Sequence, residues 1–437
     1  MDRQPIVLFQ DLLDDLSHYL PGDTISALSR GESPDWWPDI TPKEFAALAL
    51  AKTFYKKFVD EISASADEQA LKKFLQVNET CKNWRLDLRT SWEEEALCTL
   101  KRHLDNFFYR GPDVLIPNLT FLFERGRNGP GASVGSVGTD DYTKLYSSQL
   151  SCTSPVIYRA YRASMLAHPS ILDAERIRYE NYGEPLLVEG NRLRFVPKQR
   201  DTSRVICVEP TLNMYAQLGL ASILESRLYQ YFGIDLATQP NRNRELANQG
   251  SADGSFATID LSSASDSMAL GMLKEILPFE IFEVLNLLRS PTSMLPSGKQ
   301  VQLHMVSTMG NGFTFPLQTI IFAAVVSASY DMHSLERVRG GRNGPVNFGV
   351  FGDDIVVDVK VYHTVCRLLE LLGFQINAEK SFFEGPFRES CGGDFFRGHH
   401  VRGVYVKTLR TVQDRAVVLN RLHDWISITG IFLSNTT

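Results

Sequence analysis

Two adjacent carboxylates carry the first chemical signal. Asp353 and Asp354 follow Gly352 between two β-forming runs, Val346 to Phe351 and Ile355 to Val359. That pattern predicts a hairpin with both acids at its tip. Gly-Asp-Asp alone means little, because Gly and Asp are ordinary turn residues. Here the flanks suit buried strands, and two acids at the end of a buried hairpin repel each other. A hard divalent cation with oxygen ligands would neutralise them. A second pair lies upstream. Asp260 closes the strand-like run Ser255 to Leu261, and Asp266 follows with five residues between. A strand-end acid beside a hairpin-tip pair is what two-metal phosphoryl transfer requires, since two ions about 3.5–4 Å apart need carboxylates from separate elements. For Asp266 a helix cap is a competing reading. For Asp260, after Ala257 to Ile259, the ligand reading is preferred.

Residues 191–204 hold five bases and one acid. Cations alternating with β-formers give a strand with one charged face, a surface suited to phosphates or, equally, a solvated sheet edge. The Gly-rich run 125–138 carries Arg125 and Arg127 but lacks the spacing of a phosphate loop and reads as a connection. His399-His400 has no Cys or acid spaced as a partner ligand and reads as a surface pair.

These residues need a scaffold. The chain has 437 residues, 43% hydrophobic and 22% charged, which is ordinary globular composition. Lys and Arg number 45 against 51 Asp and Glu, a net charge of −6, which argues against a polybasic nucleic-acid coat and leaves room for a local basic site. Six cysteines without a CxxC argue against a disulfide scaffold or zinc ribbon and fit a reducing compartment. The N-terminus has no signal-peptide layout, so a soluble cytoplasmic chain is expected. Residues 1–110 read mostly helical and are expected to form a lobe of their own; Thr41-Pro42-Lys43-Glu44 marks one helix start. From 251 the pattern turns to α/β: a strand from Ser255, a helix from about Ser265 to Ile276, a long apolar helix from Gly312 to Tyr330 read as buried, the acidic hairpin, an amphipathic helix from Tyr362 to Leu372 ending at Gly373, and short strands from Phe395 to Val406.

At this point the residues resemble a family. Asp260-Leu-Ser-Ser-Ala-Ser-Asp266-Ser resembles motif A of viral RNA-dependent RNA polymerases, Ser307-Thr-Met-Gly310-Asn311-Gly312-Phe-Thr314-Phe resembles motif B, and Phe351-Gly352-Asp353-Asp354 resembles motif C. Arg204-Val-Ile-Cys-Val-Glu209-Pro210 with Asn213-Met214 is similar to motif F, and Gly385-Pro-Phe-Arg388-Glu389-Ser390-Cys391-Gly392 to the segment after motif D. The wording is closest to the catalytic beta subunit of RNA bacteriophage replicases, the levivirus or Q-beta type, over about residues 190 to 425. The resemblance implies an α+β right-hand polymerase fold, with an antiparallel palm sheet, fingers and a partial or reduced thumb. It divides the chain into a helical N-terminal region (1–120), fingers with the basic motif F (121–250), a palm with motifs A to D (251–400) and the start of a thumb, apparently truncated (401–437).

The implied reaction adds nucleoside triphosphates to an RNA 3′-hydroxyl on an RNA template and releases pyrophosphate. Asp260, Asp353 and Asp354 would hold two Mg²⁺ ions, with Mn²⁺ as an alternative. Lys198, Arg200 and Arg204 would bind the triphosphate. Asp266 and Asn311 would contact the ribose hydroxyls, and Gly310 and Gly312 would let the motif B loop flex. Lys380, in Asn377-Ala-Glu-Lys380-Ser, matches the motif D lysine and would protonate the pyrophosphate; a plain surface lysine is the equal alternative. Many polymerases of this class carry Thr-x-x-x-Asn in motif B, where this chain has Thr314 and Gln318, which puts Asn311 in question. Family members continue further than Thr437, so a fragment or a reduced thumb is expected. A reverse transcriptase and a catalytically inactive RNA-binding fragment are the other readings. Implied partners are RNA template and product, nucleotides, bacterial elongation factors Tu and Ts and a ribosomal protein, in the cytoplasm of a bacterial host and with no membrane.

Overall fold

The computed structural model describes residues 5–59, 63–199, 201–339 and 344–437. Arg200 therefore lies outside the described residues. The fold is α+β, as the resemblance implies. At its centre is a three-stranded antiparallel sheet in the order Phe348–Phe351, Asp354–Asp358, Phe256–Ile259. All four residues of Phe256–Ile259 are buried, which explains a run without polar alternation: both faces of the sheet are covered. One cover is the Gln239–Asp253 helix. The other is the Thr314–Met332 helix, backed by the Ser91–Phe108 and Tyr362–Leu371 helices. Thr314–Met332 is long and apolar enough to cross a membrane. It is apolar all round because protein surrounds it, as expected of a central core helix.

The acidic hairpin forms where the sequence places it. Phe351 pairs with Asp354, leaving Gly352 and Asp353 as a two-residue turn. Such turns require φ > 0; Gly352 has φ +59°, and any Cβ there would meet the Phe315 ring at 2.6 Å. The helix expected from Ser265 is broken. Ala264–Asp266 is a single 3₁₀ turn, and the α-helix runs only Leu270–Ile276. The motif B-like segment causes the break: Ala269 bridges Met305, the Val306 N–H donates to the Met268 carbonyl and the Leu270 N–H to that of His304.

The basic segment is a hairpin, Gly190–Gln199 against Thr202–Val208, in a four-stranded sheet with Thr292–Met294 and Gln300–Gln302. The Ala66–Asn83 helix packs on Thr202–Val208. A small antiparallel sheet, Phe387–Ser390, Gly393–Phe396 and His399–His400, comes later in the chain. The histidine pair is thus the last strand of that sheet. The Gly-rich run is a pinned connection: the Lys144 ammonium donates to the Gly129 and Gly131 carbonyls.

The N-terminal helices do not form a lobe of their own. Phe74 and the inner face of Ser91–Phe108 belong to the main core with the central sheet. Leu12 through Phe58 instead share a second core with Phe396 through Leu433. Strands were expected to run on to Val406; they stop at His400, because the chain beyond pairs with the N-terminal segment. The Val406 N–H donates to the Phe54 carbonyl at 2.8 Å and the Val59 N–H to that of Lys407 at 2.9 Å. Near the C-terminus, the Asp15 carboxylate accepts from the Asn435 and Thr436 N–H groups. The close approach depends on Gly403, where a Cβ would sit 2.2 Å from Thr53 Oγ1 and 2.7 Å from the Ala49 carbonyl. Backbone on both sides prevents relief. Gly403→Ala is expected to destabilise the protein by about 1–3 kcal/mol, read as a lowered denaturation midpoint; an unchanged midpoint would show that the two segments are not in this contact.

Candidate active site

The register of the central sheet brings the acids together. Ile355 pairs with Ile259 as the last rung of that ladder, so Asp354 and Asp260, the next residue on each strand, emerge at the same sheet end, near enough for Asp260 to act on the Asp354 carboxyl. Asp353 stands beside them in the turn. Three acids from two elements thus meet at one open sheet end, as the sequence predicts.

Asp260 and Asp354 are held by polar groups, and the turn that carries Asp353 is held through its backbone. The Asn377 side-chain amide donates to Asp260 Oδ2 at 2.7 Å, and the Asn377 N–H to the Asp260 carbonyl at 2.9 Å. Ser381 Oγ accepts from the Asp260 N–H at 3.1 Å and faces its carbonyl at 3.3 Å. The Cys391 N–H donates to Asp354 Oδ1 at 2.9 Å, and Asn243 Nδ2 to the Asp354 carbonyl at 3.0 Å. The Gly352 N–H donates to Thr319 Oγ1 at 3.1 Å, fixing the turn to the central helix. Burial, then the neighbouring Asp354, pushes the Asp353 carboxyl up to about 6. Burial likewise raises Asp354, with Asp260 adding to it. An excess of negative charge therefore stands at the sheet end.

Among the described residues no three acid, histidine or cysteine side chains close into a finished cation cage. The donor chemistry still fits a hard cation: three carboxylates, oxygen ligands only, gathered at one sheet end. Asp260 and Asp353 open onto a cavity of about 800 Å³ whose wall also includes Asp266, Lys198, Arg204 and Lys380. Lys198 and Arg204 project from the basic hairpin, and among the described residues neither has a carboxylate within ion-pair distance. Burial, followed by repulsion from Arg204 and Lys380, lowers the Lys198 pKa. An anion in the cavity would relieve that repulsion.

Lys380 stands 3.9 Å from Glu389. Burial opposes its charge, but Glu389, Asp260 and Asp354 together hold its pKa above the ordinary lysine value. Its position follows from the 377–381 turn, which carries four contacts to Asp260. Asp266 is not a helix cap of the usual kind. It lies in the 3₁₀ turn and accepts from the Met309 N–H at 3.2 Å, and burial pushes its carboxyl up to about 6.

The motif B-like residues are placed differently. Asn311 is buried, lies off the cavity wall and accepts from the Phe313 N–H through its own Oδ1 at 3.0 Å. Gly310 has φ +115° and packs so closely that a Cβ would lie 2.3 Å from the Cys207 carbonyl; Gly312 approaches Gln217. Both glycines permit contact with the neighbouring elements, and the Cys207 N–H donates to the Met309 carbonyl. Gln318 is buried too and meets Ser265 Oγ at 3.5 Å. The residues that sequence reasoning passed over are Asn377, Ser381 and Asn243. Asn377 was visible beside Lys380, but nothing in its spacing pointed to Asp260. Asn243 lies in a polar helix with no motif to mark it.

A raised carboxyl pKa has a signed consequence for stability. The folded-state value of Asp353, about 6, exceeds that of a free carboxyl, about 3.9. Its contribution is therefore fully present below about pH 4 and lost as pH rises through 6. Asp353→Asn should be more stable than the parent by about 1–3 kcal/mol at pH 7 in chelator-containing buffer, with no difference near pH 4. Equal denaturation midpoints at pH 7 would contradict the crowding of charge described above.

Comparison with known proteins adds the relatives. The model of the family described as RNA replicase, beta-chain, matches residues 20–436. The chain is 32% identical to the RNA-directed RNA polymerase beta chain of Enterobacteria phage fr, over 97% of this chain and 76% of that protein. It is 36% identical to the corresponding chain of Escherichia phage MS2, over 79% of this chain and 60% of that one. It is 38% identical to the RNA-directed RNA polymerase subunit beta of Escherichia virus Qbeta, over 55% of this chain and 40% of that one. The chain thus matches only part of each relative, and well under two thirds of the last two. Among solved structures, the RNA-dependent RNA polymerase of a human picorbirnavirus aligns over 55% of this chain and 52% of its own, at 14% identity and a TM-score of 0.37.

Proposed function

Because the chain belongs to the RNA replicase beta-chain family, we propose that it is an RNA-dependent RNA polymerase that copies a viral RNA genome by nucleotidyl transfer. The observation that carries this reading is the convergence of Asp260 with Asp353 and Asp354 at one sheet end, facing Lys198 and Arg204 across a shared cavity. In the reaction an RNA 3′-oxygen forms a bond to the α-phosphorus of a nucleoside triphosphate, the bond to the β-phosphate oxygen breaks, and pyrophosphate leaves. Asp260, Asp353 and Asp354 would hold two Mg²⁺ ions, or Mn²⁺, which when bound lower the pKa of the attacking hydroxyl and offset charge on the phosphates.

The remaining roles belong to the chain. Lys198 and Arg204 neutralise the triphosphate, with Arg200 assigned to the same task by its place in the motif. Lys380, kept protonated by Glu389 and the acids, gives its proton to the departing pyrophosphate. Asp266, on the cavity wall, reads the ribose hydroxyls, since a 2′-hydroxyl both donates and accepts. Asn311 supports that site from behind through the motif B-like loop. On this reading 251–400 is the palm, 121–250 the fingers, 1–120 a helical N-terminal region and 401–437 the beginning of a thumb. The enzyme works in the cytoplasm of a bacterial host, on RNA and nucleotides, with elongation factors Tu and Ts and a ribosomal protein as the partners that family membership points to.

The test is incorporation of labelled ribonucleotides by the purified chain with Mg²⁺ and a primed RNA template. Incorporation is expected with ribonucleotides and not with deoxynucleotides alone; the reverse would favour a reverse transcriptase. RNA binding without incorporation would favour an inactive fragment. Asp353→Asn should fold and lose activity on the order of a thousandfold. Arg204→Ala should raise the nucleotide KM about tenfold, and an unchanged KM would remove Arg204 from the triphosphate site.

A further inference from the structure

Beside Lys380 the cavity holds two further cations, Lys57 and Arg402, that none of the motifs includes. Lys57 leaves the N-terminal Pro42–Thr53 helix and lays its ammonium 4.0 Å from the centre of the Tyr405 ring. Arg402 lies over the same ring at 5.2 Å and is paired with Asp394 at 2.9 Å. Lys380 and Glu389 adjoin them, and all six residues line the cavity. The arrangement is fixed in advance of any ligand. The two backbone hydrogen bonds between 54–59 and 406–407 fall on either side of Lys57 and directly after Tyr405, and Gly403 admits the close approach that these bonds need.

Charge defines what is missing. Asp394 already answers Arg402, and Glu389 answers Lys380. Among the described residues no carboxylate lies within ion-pair distance of Lys57, whose near neighbours are Arg402, Lys380, Glu389 and Arg204. Lys57 is thus left as a half-buried ammonium whose contact is an aromatic face. Such a group gains most from a single anion. A triphosphate carries several charges and, on the function proposed above, already has Lys198 and Arg204. A strand that delivers a 3′-hydroxyl brings phosphodiesters of one charge each.

We propose that Lys57, seated on Tyr405 and backed by Arg402, is a preformed site for one backbone phosphate of the RNA strand that carries the attacking 3′-hydroxyl. The inference rests on the polymerase reading, and its test separates the two. Lys57→Met keeps the aliphatic stem on the ring and removes the charge; Lys57→Arg keeps the charge. Binding of a fluorescent primer–template RNA is followed by anisotropy at several salt concentrations, and the nucleotide KM is measured at saturating RNA.

Lys57→Met should weaken RNA binding about tenfold and reduce the slope of log affinity against log salt by about one. Lys57→Arg should restore both, and the nucleotide KM should stay within about twofold of the parent's. Unchanged RNA affinity and salt slope would overturn the site. So would a raised nucleotide KM with RNA affinity intact, which would hand Lys57 to the triphosphate. If the parent chain fails to incorporate nucleotides while Lys57→Met still weakens RNA binding, the polymerase reading falls and the phosphate site stands. If Arg204→Ala raises the nucleotide KM and Lys57→Met changes nothing, the site falls and the reading stands.

Discussion

Mutual repulsion of three carboxylates at one sheet end is the constraint around which the rest of the molecule is arranged. Left alone, Asp260, Asp353 and Asp354 would be driven apart or protonated. The chain prevents the first by clamping each backbone. The 377–381 turn grips Asp260, Asn243 and the Cys391 N–H grip Asp354, and Thr319 grips the turn that carries Asp353. Each clamp comes from a different element, so the sheet end is braced by the buried helix behind it, the polar helix below it and the loops beside it. Protonation is the remaining outlet, and the raised values at Asp353 and Asp354 record it. A site of this kind is poised for positive charge, and the basic hairpin across the cavity faces it with cations of its own.

The same economy joins Asp260 to the lysine beside it. Lys380 lies on the turn whose neighbours Asn377 and Ser381 hold Asp260. Acid and ammonium are therefore placed by one piece of backbone, and a shift of that turn would move both. Tyr330 extends the bracing to the far end of the sheet: its hydroxyl donates to the Asn347 carbonyl and accepts from the Asp358 N–H at 2.9 Å.

How far the sequence reveals this varies with the kind of interaction. Short-range signals were legible. The two β-forming runs around Gly352 produced the hairpin, the apolar run from Gly312 the central helix, and Thr41 with Glu44 a capping box. The meeting of Asp260 with Asp353 and Asp354 was legible from the resemblance and from paired strand ends. Contacts set by tertiary packing were not. The broken helix after Asp266 reflects pairing with His304 to Val306, which no local pattern announces. Asn311 looked like a ribose contact from its motif, yet its carbonyl oxygen serves its own loop. The division of the N-terminal helices between two cores was equally hidden, because an amphipathic face shows that a partner exists and not which partner it is.

The pairing of Phe54 with Val406 and of Val59 with Lys407 bears on when this molecule becomes complete. Segments from opposite ends of the sequence must meet before Lys57 and Tyr405 share a wall, and contacts of such long range form late in folding. During translation the central sheet has all its strands once Asp358 has emerged from the ribosome, while that wall waits for the residues after His400. The nascent chain therefore acquires its acids first and its enclosing surface afterwards.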